Sequence, residues 1–257
     1  MDTNSTPEAA AERKPKPKGR IRKFLLRSVL ALIVALTVAH FVWKNSGSSQ
    51  WEKVGERNGV TVYAMKTPGT PLKKFKAVWK IRSKVSRFVM WASDQNPDPK
   101  YSMRAQAGHY DHRIIEEHGD LRATWSTWKQ PFGKYLTPRQ FVVRVGFSQN
   151  PVTKTLLYAV TGEPEKIPLD DCCVRVPVMT NRWTVTPLKT GELEVEWFID
   201  MDLGGAVPYV MQNAVLPKGL YRFPPRVQML LDQERYKNAQ YSWIQEPEVE
   251  QVVAAAR

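Results

Sequence analysis

Residues 174–213 read VRVPVMTNRWTVTPLKTGELEVEWFIDMDLGGAVPYVMQN, and this stretch decides the fold of the chain. Apolar and polar residues alternate on both sides of Gly191, which predicts two strands joined by a turn. The second strand ends at Gly204 and Gly205, a hinge that can adopt backbone angles closed to residues with a Cβ. Pro208 suits the first turn of the apolar helix that follows, where its missing N–H costs little. The pattern predicts a sheet that passes the chain to a C-terminal helix.

Five motifs along the chain extend this pattern, and they occur in the order known from one family. They are Trp51 followed by residues 59–63 (GVTVY), residues 75–78 (FKAV), Pro131 followed by residues 138–142 (PRQFV), Val174 and Arg175 followed by residues 183–187 (WTVTP), and residues 202–208 (DLGGAVP). In this order and spacing, from about residue 50 to about residue 240, the chain resembles the START (StAR-related lipid transfer) family of the helix-grip superfamily. Gln140 stands where that family has an aspartate.

The resemblance implies an α+β helix-grip fold, in which a curved antiparallel sheet surrounds a long C-terminal helix and encloses a lipid-sized cavity. It implies a domain that holds a hydrophobic ligand such as a sterol, a phospholipid or a fatty acid. It also implies that the C-terminal helix lies across the sheet as a lid. The bacterial, membrane-anchored members of the family are the expected type, with one transmembrane helix before the domain.

The composition allows one large domain with a tail and an anchor, because 257 residues with 42% hydrophobic content suffice for a single core. We expect a disordered basic tail over residues 1–23, an apolar segment over residues 24–43 and a flexible tether over residues 44–50. The START-like domain is expected over residues 51–240, and a C-terminal tail over residues 241–257.

The segment at residues 24–43, FLLRSVLALIVALTVAHFVW, is the one long apolar run in the chain. Its charge-free part, residues 28–43, gives about 24 Å of helix against a hydrocarbon core of about 30 Å. Arg27 can extend its charge back to the interface, and Trp43 suits the opposite interface. A retained anchor, a signal peptide cleaved near Ala39 and a helix of a soluble protein all remain open.

Charge indicates the orientation of an anchor and the kind of surface that the domain meets. The first 27 residues hold 8 basic and 3 acidic residues, so +8 of the total of +13 lies on the remainder. The positive-inside rule then predicts a cytoplasmic N-terminus and a periplasmic domain, or secretion to the periplasm if the segment is cleaved. A basic domain beside a bilayer favours contact with anionic headgroups. No nucleic-acid-binding motif is present, and protein partners are not indicated.

Alternation and helical spacing predict the remaining elements. Strands are expected in an antiparallel meander at residues 60–66, 74–82, 107–117, 121–129, 140–148, 154–161, 172–186 and 193–201. Helices are expected at residues 85–93, 207–216 and 226–240. The three prolines at 217, 224 and 225 predict a kink or a break between the last two helices.

Six residues are candidates for the wall of the cavity, and a hinge is expected beside them. Helical spacing places Val210, Met211 and Ala214 on one stripe toward the sheet. Trp183 and Trp197 are expected opposite that stripe, and Met suits an adaptable lining. Arg175 would bring a charge to the cavity if it faced inward, and would form an exposed cross-strand pair if it faced outward. The hinge residues are Gly204, Gly205 and Pro208.

Catalytic, metal and cofactor sites have weaker signals. Strand alternation places His109 and His112 on opposite faces, and only His112, Glu116 and His118 on one face, where a metal site competes with a solvent-facing hairpin. The adjacent Cys172 and Cys173 are expected to be reduced, with a vicinal disulfide as the alternative. No nucleophile elbow, dinucleotide fingerprint or phosphate loop occurs, so no catalytic residue and no cofactor is assigned.

The sequence therefore favours a membrane-tethered domain that binds or transfers a lipid and is not an enzyme. Two alternatives remain open. One is a helix-grip enzyme of the cyclase or dehydratase kind, which would need an acid–base pair facing the cavity. The other is a ligand-gated sensor or assembly protein, which would need an exposed apolar patch beyond the cavity mouth.

Overall fold

A computed structural model of the chain describes residues 18–94, 96, 98, 108–119, 123–133 and 136–247. The chain divides into two compact units, Met1–Asn45 and Ser46–Arg257. Most of the predicted basic tail, residues 1–17, and the last residues of the C-terminal tail lie outside the described residues.

The first unit contains helix α1, Lys18–Asn45. Within the described residues, α1 is the one helix that is long and apolar enough to cross a membrane; its segment Ile21–Asn45 has 25 residues and contains an 18-residue stretch with a mean hydropathy of 2.2. A signal sequence near the N-terminus meets the same criteria. The helix begins before residue 24 and continues through Lys44 and Asn45, which the sequence placed in a flexible tether.

The second unit is built on one ten-stranded, curved sheet. Its strands are β1 (Trp51–Arg57), β2 (Val60–Lys66), β3 (Lys73–Ile81), β4 (Tyr110–His118), β5 (Ala123–Gln130), β6 (Arg139–Gln149), β7 (Leu156–Gly162), β8 (Val174–Arg175), β9 (Val178–Pro187) and β10 (Leu193–Asp202). The strand order is β1-β2-β3-β10-β9-β7-β6-β5-β4, and β8 pairs with β6. Every neighbouring pair is antiparallel except β8 with β6.

The strand order corrects the prediction of a simple meander. After β3 the chain passes through a helix to β4 at the far edge of the sheet, and β10 later returns to pair with β3. The predicted strand at residues 172–186 is divided, because β8 ends at Arg175 and β9 begins at Val178, one residue after Pro177. Since proline cannot donate to a ladder, Pro177 suits this break.

Helix α2, Val85–Ser93, has the bounds that the sequence predicts, and its N-terminus is capped from the far end of the chain. The Glu246 carboxylate accepts hydrogen bonds from the backbone N–H groups of Val85 and Ser86, at 2.9 and 2.8 Å, and from the Ser86 hydroxyl at 2.6 Å. Negative charge at a helix N-terminus is stabilising. The folded unit therefore extends through residues 241–246, which the sequence assigned to a tail.

The C-terminal helix corrects a second prediction. Helix α3, Tyr209–Leu231, runs through all three prolines without a break, and a short helix, α4 (Glu234–Lys237), follows it. Each proline removes one helical hydrogen bond. Burial of the inner face of α3 outweighs that loss, since Leu220, Pro224, Val227, Leu230 and Leu231 are all buried.

Candidate ligand-binding cavity

The sheet and α3 enclose a cavity of about 420 Å³ in the second unit. Its wall comes from strands β3, β5, β6, β7, β9 and β10, from α2 and α3, and from the connecting loops. Most of the lining is apolar or aromatic, and the residues that carry the following description are Asp94, His109, Tyr158, Asn181, Trp183, Trp197, Met211, Gln212, Leu216 and Phe223. A concave and mainly apolar site of this size lies within the usual range for small-molecule pockets, about 300–1,000 Å³.

A pair of tryptophans forms the centre of the aromatic wall. Trp183 on β9 and Trp197 on β10 are direct cross-strand partners, and their rings stack with centroids 4.7 Å apart. Phe223 of α3 packs on both rings, at 4.6 Å from Trp197 and 5.5 Å from Trp183. Cross-strand and ring-to-ring contacts of this kind stabilise both the sheet and its attachment to the helix.

Asn181 is the polar residue next to this pair. Its Oδ1 atom accepts a hydrogen bond from Nε1 of Trp183 at 2.9 Å and a second one from Nε1 of Trp197. Asn181 belongs to none of the sequence motifs that indicated cavity residues. The sequence could have indicated it by strand alternation, because Asn181 lies two residues from both Met179 and Trp183 and so shares their face of β9.

Asp94 is the carboxylate among the lining residues, and two residues of α4 hold it in place. Asp94 directly follows α2. Its Oδ2 atom accepts a hydrogen bond from the Tyr236 hydroxyl at 2.5 Å and forms an ion pair with the Arg235 guanidinium at 2.9 Å. Burial, and then this hydrogen bond, raise the pKa of the Tyr236 phenol well above its usual range. Tyr236 therefore stays neutral and donates to Asp94.

The first turns of α3 are fixed to the sheet side by two amides. Gln212 accepts from the Leu203 backbone N–H and donates to the Val207 carbonyl, both at 3.2 Å. Asn213 accepts from the backbone N–H of Lys73 at 2.9 Å and donates to the Pro71 carbonyl at 3.1 Å. These bonds set the rotation of the helix about its axis.

That rotation corrects the predicted stripe on α3. Met211 lines the cavity as expected, but Val210 and Ala214 are exposed, and the side chain of Val210 is 62% accessible. Because successive residues of an α-helix turn by about 100°, anchoring Gln212 toward the sheet places residues two positions away on the opposite side. Leu216, one turn after Gln212, takes the inward position instead.

The glycine hinge has the predicted backbone. Gly204 and Gly205 have φ angles of +65° and +61°, in the left-handed region that favours glycine. Pro208 lies one residue before α3 rather than within its first turn, and its carbonyl accepts from the N–H groups of Met211 and Gln212 at 3.0 and 3.2 Å.

A buried arginine holds this hinge, a role that the local sequence does not reveal. Arg139 is only 2% exposed, and its guanidinium donates to the carbonyls of Leu203 at 3.2 Å and Gly204 at 3.0 Å. It also lies over the ring of Phe132, 5.3 Å from its centroid. Burial keeps the pKa of Arg139 below its usual range. The PRQFV motif thus ties β6 to the end of β10.

Arg175, a predicted cavity residue, is not part of the cavity lining. Its Nε donates to Oε1 of Gln140 at 3.1 Å, and the rest of its guanidinium donates to the carbonyls of Pro164, Ile167 and Pro168. Gln140 is the residue opposite Arg175 in the pairing of β6 with β8, so Arg175 does form a cross-strand pair, although it is half-buried and not exposed. Arg175 also organises the loop between β7 and β8, because its planar fork can bind several oxygens at once.

The histidines also differ from the prediction. His109 and His112 both stack on Trp128, at centroid distances of 5.2 and 6.4 Å, although simple alternation placed them on opposite faces. The register of β4 shifts between Tyr110 and Arg113, where Asp111 has a φ of +51°. A bulge of this kind breaks the two-residue period. His118 pairs with Glu116 at 2.7 Å, and the described residues contain no group of three that could hold a metal.

The cysteines form the alternative that the sequence left open. Cys172 and Cys173 are joined by a vicinal disulfide in the loop between β7 and β8, so the expectation of two reduced thiols was wrong. The guanidinium of Arg175 binds three carbonyls of the same loop.

Comparison with known proteins places the fold. No family model matches the chain. It is 23% identical over 189 residues to an uncharacterised protein of Pseudomonas aeruginosa, covering 74% of this chain and 90% of that protein. It is similar in structure to a STAR-related lipid transfer protein fragment from Xanthomonas axonopodis, with a TM-score of 0.62, 16% identity, and coverage of 71% of this chain and 99% of that one. Human StAR-related lipid transfer protein 5 gives a TM-score of 0.59 and 18% identity, over 80% of this chain and 97% of that one. The START-like helix-grip fold predicted from the sequence is confirmed.

Proposed function

We propose that the protein is a membrane-tethered domain that holds one hydrophobic molecule in its cavity and does not transform it. The observation that carries this proposal is the apolar cavity between the sheet and α3, with Trp183, Trp197 and Phe223 at its centre. Burial of a ligand there removes apolar surface from water, at about 25 cal/mol per Å². The two structures named above are called lipid transfer proteins, which supports a lipid as the ligand.

The tether in this proposal is α1, retained as a single membrane span. Its apolar segment supports this, since residues 24–43 give about 30 Å of helix, enough to cross a hydrocarbon core of about 30 Å when the charge of Arg27 extends back to the interface. The basic residues that precede the apolar segment support a cytoplasmic N-terminus and a periplasmic domain. A net charge of +8 after residue 27 supports attraction of the domain to anionic lipid headgroups, and no nucleic-acid partner is proposed.

Ligand entry is proposed to occur by movement of the N-terminal part of α3 together with the loop between β5 and β6. Two features support a movable element here. The hinge at Gly204 and Gly205 joins α3 to the sheet, and the first turns of α3 are fixed mainly by the side-chain amides of Gln212 and Asn213.

A second candidate function is catalysis in the same cavity, and one observation favours it. Asp94 and His109 both line the cavity, and side chains of these two kinds are the usual acid and base in enzymes. The carboxylate of Asp94 is already engaged by Tyr236 and Arg235, which supports a structural role for it. Binding is therefore the preferred proposal.

The test is mass spectrometry of the full-length chain purified from its source cell, under native conditions and after solvent extraction. The proposal predicts one hydrophobic molecule per chain, whose mass does not change during prolonged incubation with the protein. A chain that carries no such molecule, and takes none up from vesicles, would contradict the binding proposal. A time-dependent change in the mass of the bound molecule would establish the catalytic alternative.

A further inference from the structure

The amide of Asn181 has a defined orientation, because two tryptophans fix it. An indole N–H can donate a hydrogen bond but cannot accept one. Both Trp183 and Trp197 direct their N–H groups at the same atom of Asn181, so that atom must be the amide oxygen. The nitrogen of Asn181 is therefore the polar atom that the side chain offers to the cavity it lines.

The surroundings of this nitrogen are apolar. In the sheet, Asn181 is paired with Ile199 on one side and Val160 on the other, and both of these residues line the cavity. Met179 and Trp183 flank it on the same face of β9 and also line the cavity. Among the residues that the structure describes, none accepts a hydrogen bond from Nδ2 of Asn181.

Most other polar groups of the cavity wall already have partners. Gln212 and Asn213 use both ends of their amides to fix α3, and Asp94 is bound by Tyr236 and Arg235. His109 stacks on Trp128. Lys73 and Gln130 also interact with other groups of the protein. Among the described residues of the wall, the hydroxyl of Tyr158, on the strand beside Asn181, and the indole N–H of Trp128, which has no hydrogen-bond partner, could act with it.

A hydrogen-bond donor in an apolar wall selects a particular kind of ligand. A pure hydrocarbon would leave the Asn181 N–H groups without an acceptor, which is unfavourable in a dry cavity. A carboxylate at this point would lack a cationic partner. Lys73 lies on the second strand from Asn181 and two residues away from the position opposite it, so their Cα atoms are roughly 12 Å apart. A charged group buried without its partner is strongly disfavoured.

We infer that Asn181 is a specificity-determining residue, whose amide nitrogen donates to an uncharged oxygen acceptor on an otherwise apolar ligand. A hydroxyl, a ketone or an ester carbonyl fits this description. Trp183 and Trp197 act as positioning residues, since they turn the amide so that its donor faces the ligand. This inference rests on the proposed function, because it assumes that the cavity binds a hydrophobic molecule.

The test uses the full-length chain, transferred from detergent into an amphipathic polymer, and two probes with the same hydrocarbon length. Undecane has no polar atom, and 2-undecanone adds a single uncharged acceptor. Binding of each probe is measured by calorimetry for the wild type and for Asn181→Asp at pH 8. The substitution keeps an oxygen for both indoles but replaces the donating nitrogen with a second oxygen. A second variant, Asn181→Leu, removes both polar atoms without adding charge.

We expect Asn181→Leu to weaken 2-undecanone binding about tenfold, the size of one neutral hydrogen bond, and to leave undecane binding nearly unchanged. Asn181→Asp buries a carboxylate, which disfavours both probes, but it should shift the ratio of the two dissociation constants in the same direction. Melting curves establish that both variants are folded. Equal effects of the substitutions on both probes would overturn the inference and leave the proposed function standing. Failure of the wild type to bind either probe would remove the proposed function, and the inference with it.

Discussion

Phe223 of α3 lies against Trp197 of β10, with their ring centroids 4.6 Å apart. This contact joins the helix to the centre of the sheet at the point where the aromatic wall of the cavity is formed. Because the same ring also packs on Trp183, a single side chain of α3 covers the stacked pair. The position of the helix and the shape of the cavity are therefore coupled through Phe223.

Phe223→Ala should loosen this coupling. Removing a large core ring typically destabilises a protein by about 3–5 kcal/mol, and a half-buried ring such as this one should cost less. We expect a lower melting temperature and faster release of bound lipid, measured by transfer of a fluorescent lipid between vesicles. Met229→Ala, an exposed position on the same helix, serves as the control. Equal release rates for the two variants would contradict the role of Phe223.

Two tryptophan substitutions on α3 separate the inside of the cavity from the outside. Leu216→Trp should fill the cavity, because Leu216 lines it, and should abolish ligand uptake while the chain remains folded. Ala214→Trp should leave uptake and stability nearly unchanged, since Ala214 is exposed on the other side of the helix. Uptake is measured by lipid extraction after exposure to vesicles. If Leu216→Trp instead lowered stability by about 1–3 kcal/mol and the wild type took up no ligand, the site would be a close-packed core.

Gly205→Val should destabilise the hinge. A Cβ at this position would lie 3.2 Å from Nη2 of Arg139 and 3.3 Å from Cγ2 of Val174, and the φ of +61° is strained for valine. An unfavourable backbone angle of this kind costs about 1–3 kcal/mol before any loss of packing. Gly219→Val is the matched control, because no atom lies within 4 Å of its Cβ position. Unchanged urea unfolding of the Gly205 variant would show that the hinge tolerates a side chain.

The loop that carries the disulfide should respond to acid. The Lys129 ammonium lies 3.0 Å from Oδ2 of Asp111 and 2.8 Å from Oδ2 of Asp170, and its hydrogen bonds lower the pKa of both carboxyls. A lowered folded-state pKa means that these contacts stabilise the fold above the usual aspartate range and are lost as the pH falls below it. The stability difference between the wild type and Lys129→Met should therefore shrink between pH 6 and pH 3. A difference that grows on acidification would contradict this assignment.

The orientation of the anchor has a direct test in reporter fusions. Alkaline phosphatase fused after the C-terminus should be active, and a reporter that works only in the cytosol should be silent there. The physical reason is the excess of basic residues before the apolar segment, which retains that end on the cytoplasmic side. The opposite pattern, or recovery of the full-length chain in the soluble cytosolic fraction, would exclude the anchor.

The sequence predicts most of the sheet because its strands bury one face and so alternate with a period of two. Trp183 and Trp197 were expected opposite the predicted stripe of α3, and both line the cavity. The same rule failed at His109 and His112, since the bulge near Asp111 shifts the phase of β4. No local pattern in the sequence announces that bulge.

The parts of the site that depend on distant contacts could not be read from local patterns. The rotation of α3 is fixed by Gln212 and Asn213, whose partners lie in other elements, so two of the three residues of the predicted stripe, Val210 and Ala214, face outward. Arg139 and Glu246 act on segments far along the chain, on Gly204 and on the start of α2. Such residues look like ordinary surface charges until the fold brings their partners to them.

The central claim is that the cavity of this protein holds a lipid in the cell. The most direct measurement is native mass spectrometry of the full-length wild type and of Leu216→Trp, purified in parallel from the source cell and followed by extraction. We predict that the wild type carries one hydrophobic molecule per chain and that the folded Leu216→Trp variant carries none. An empty wild type, or the same molecule in equal amount on both proteins, would contradict the claim.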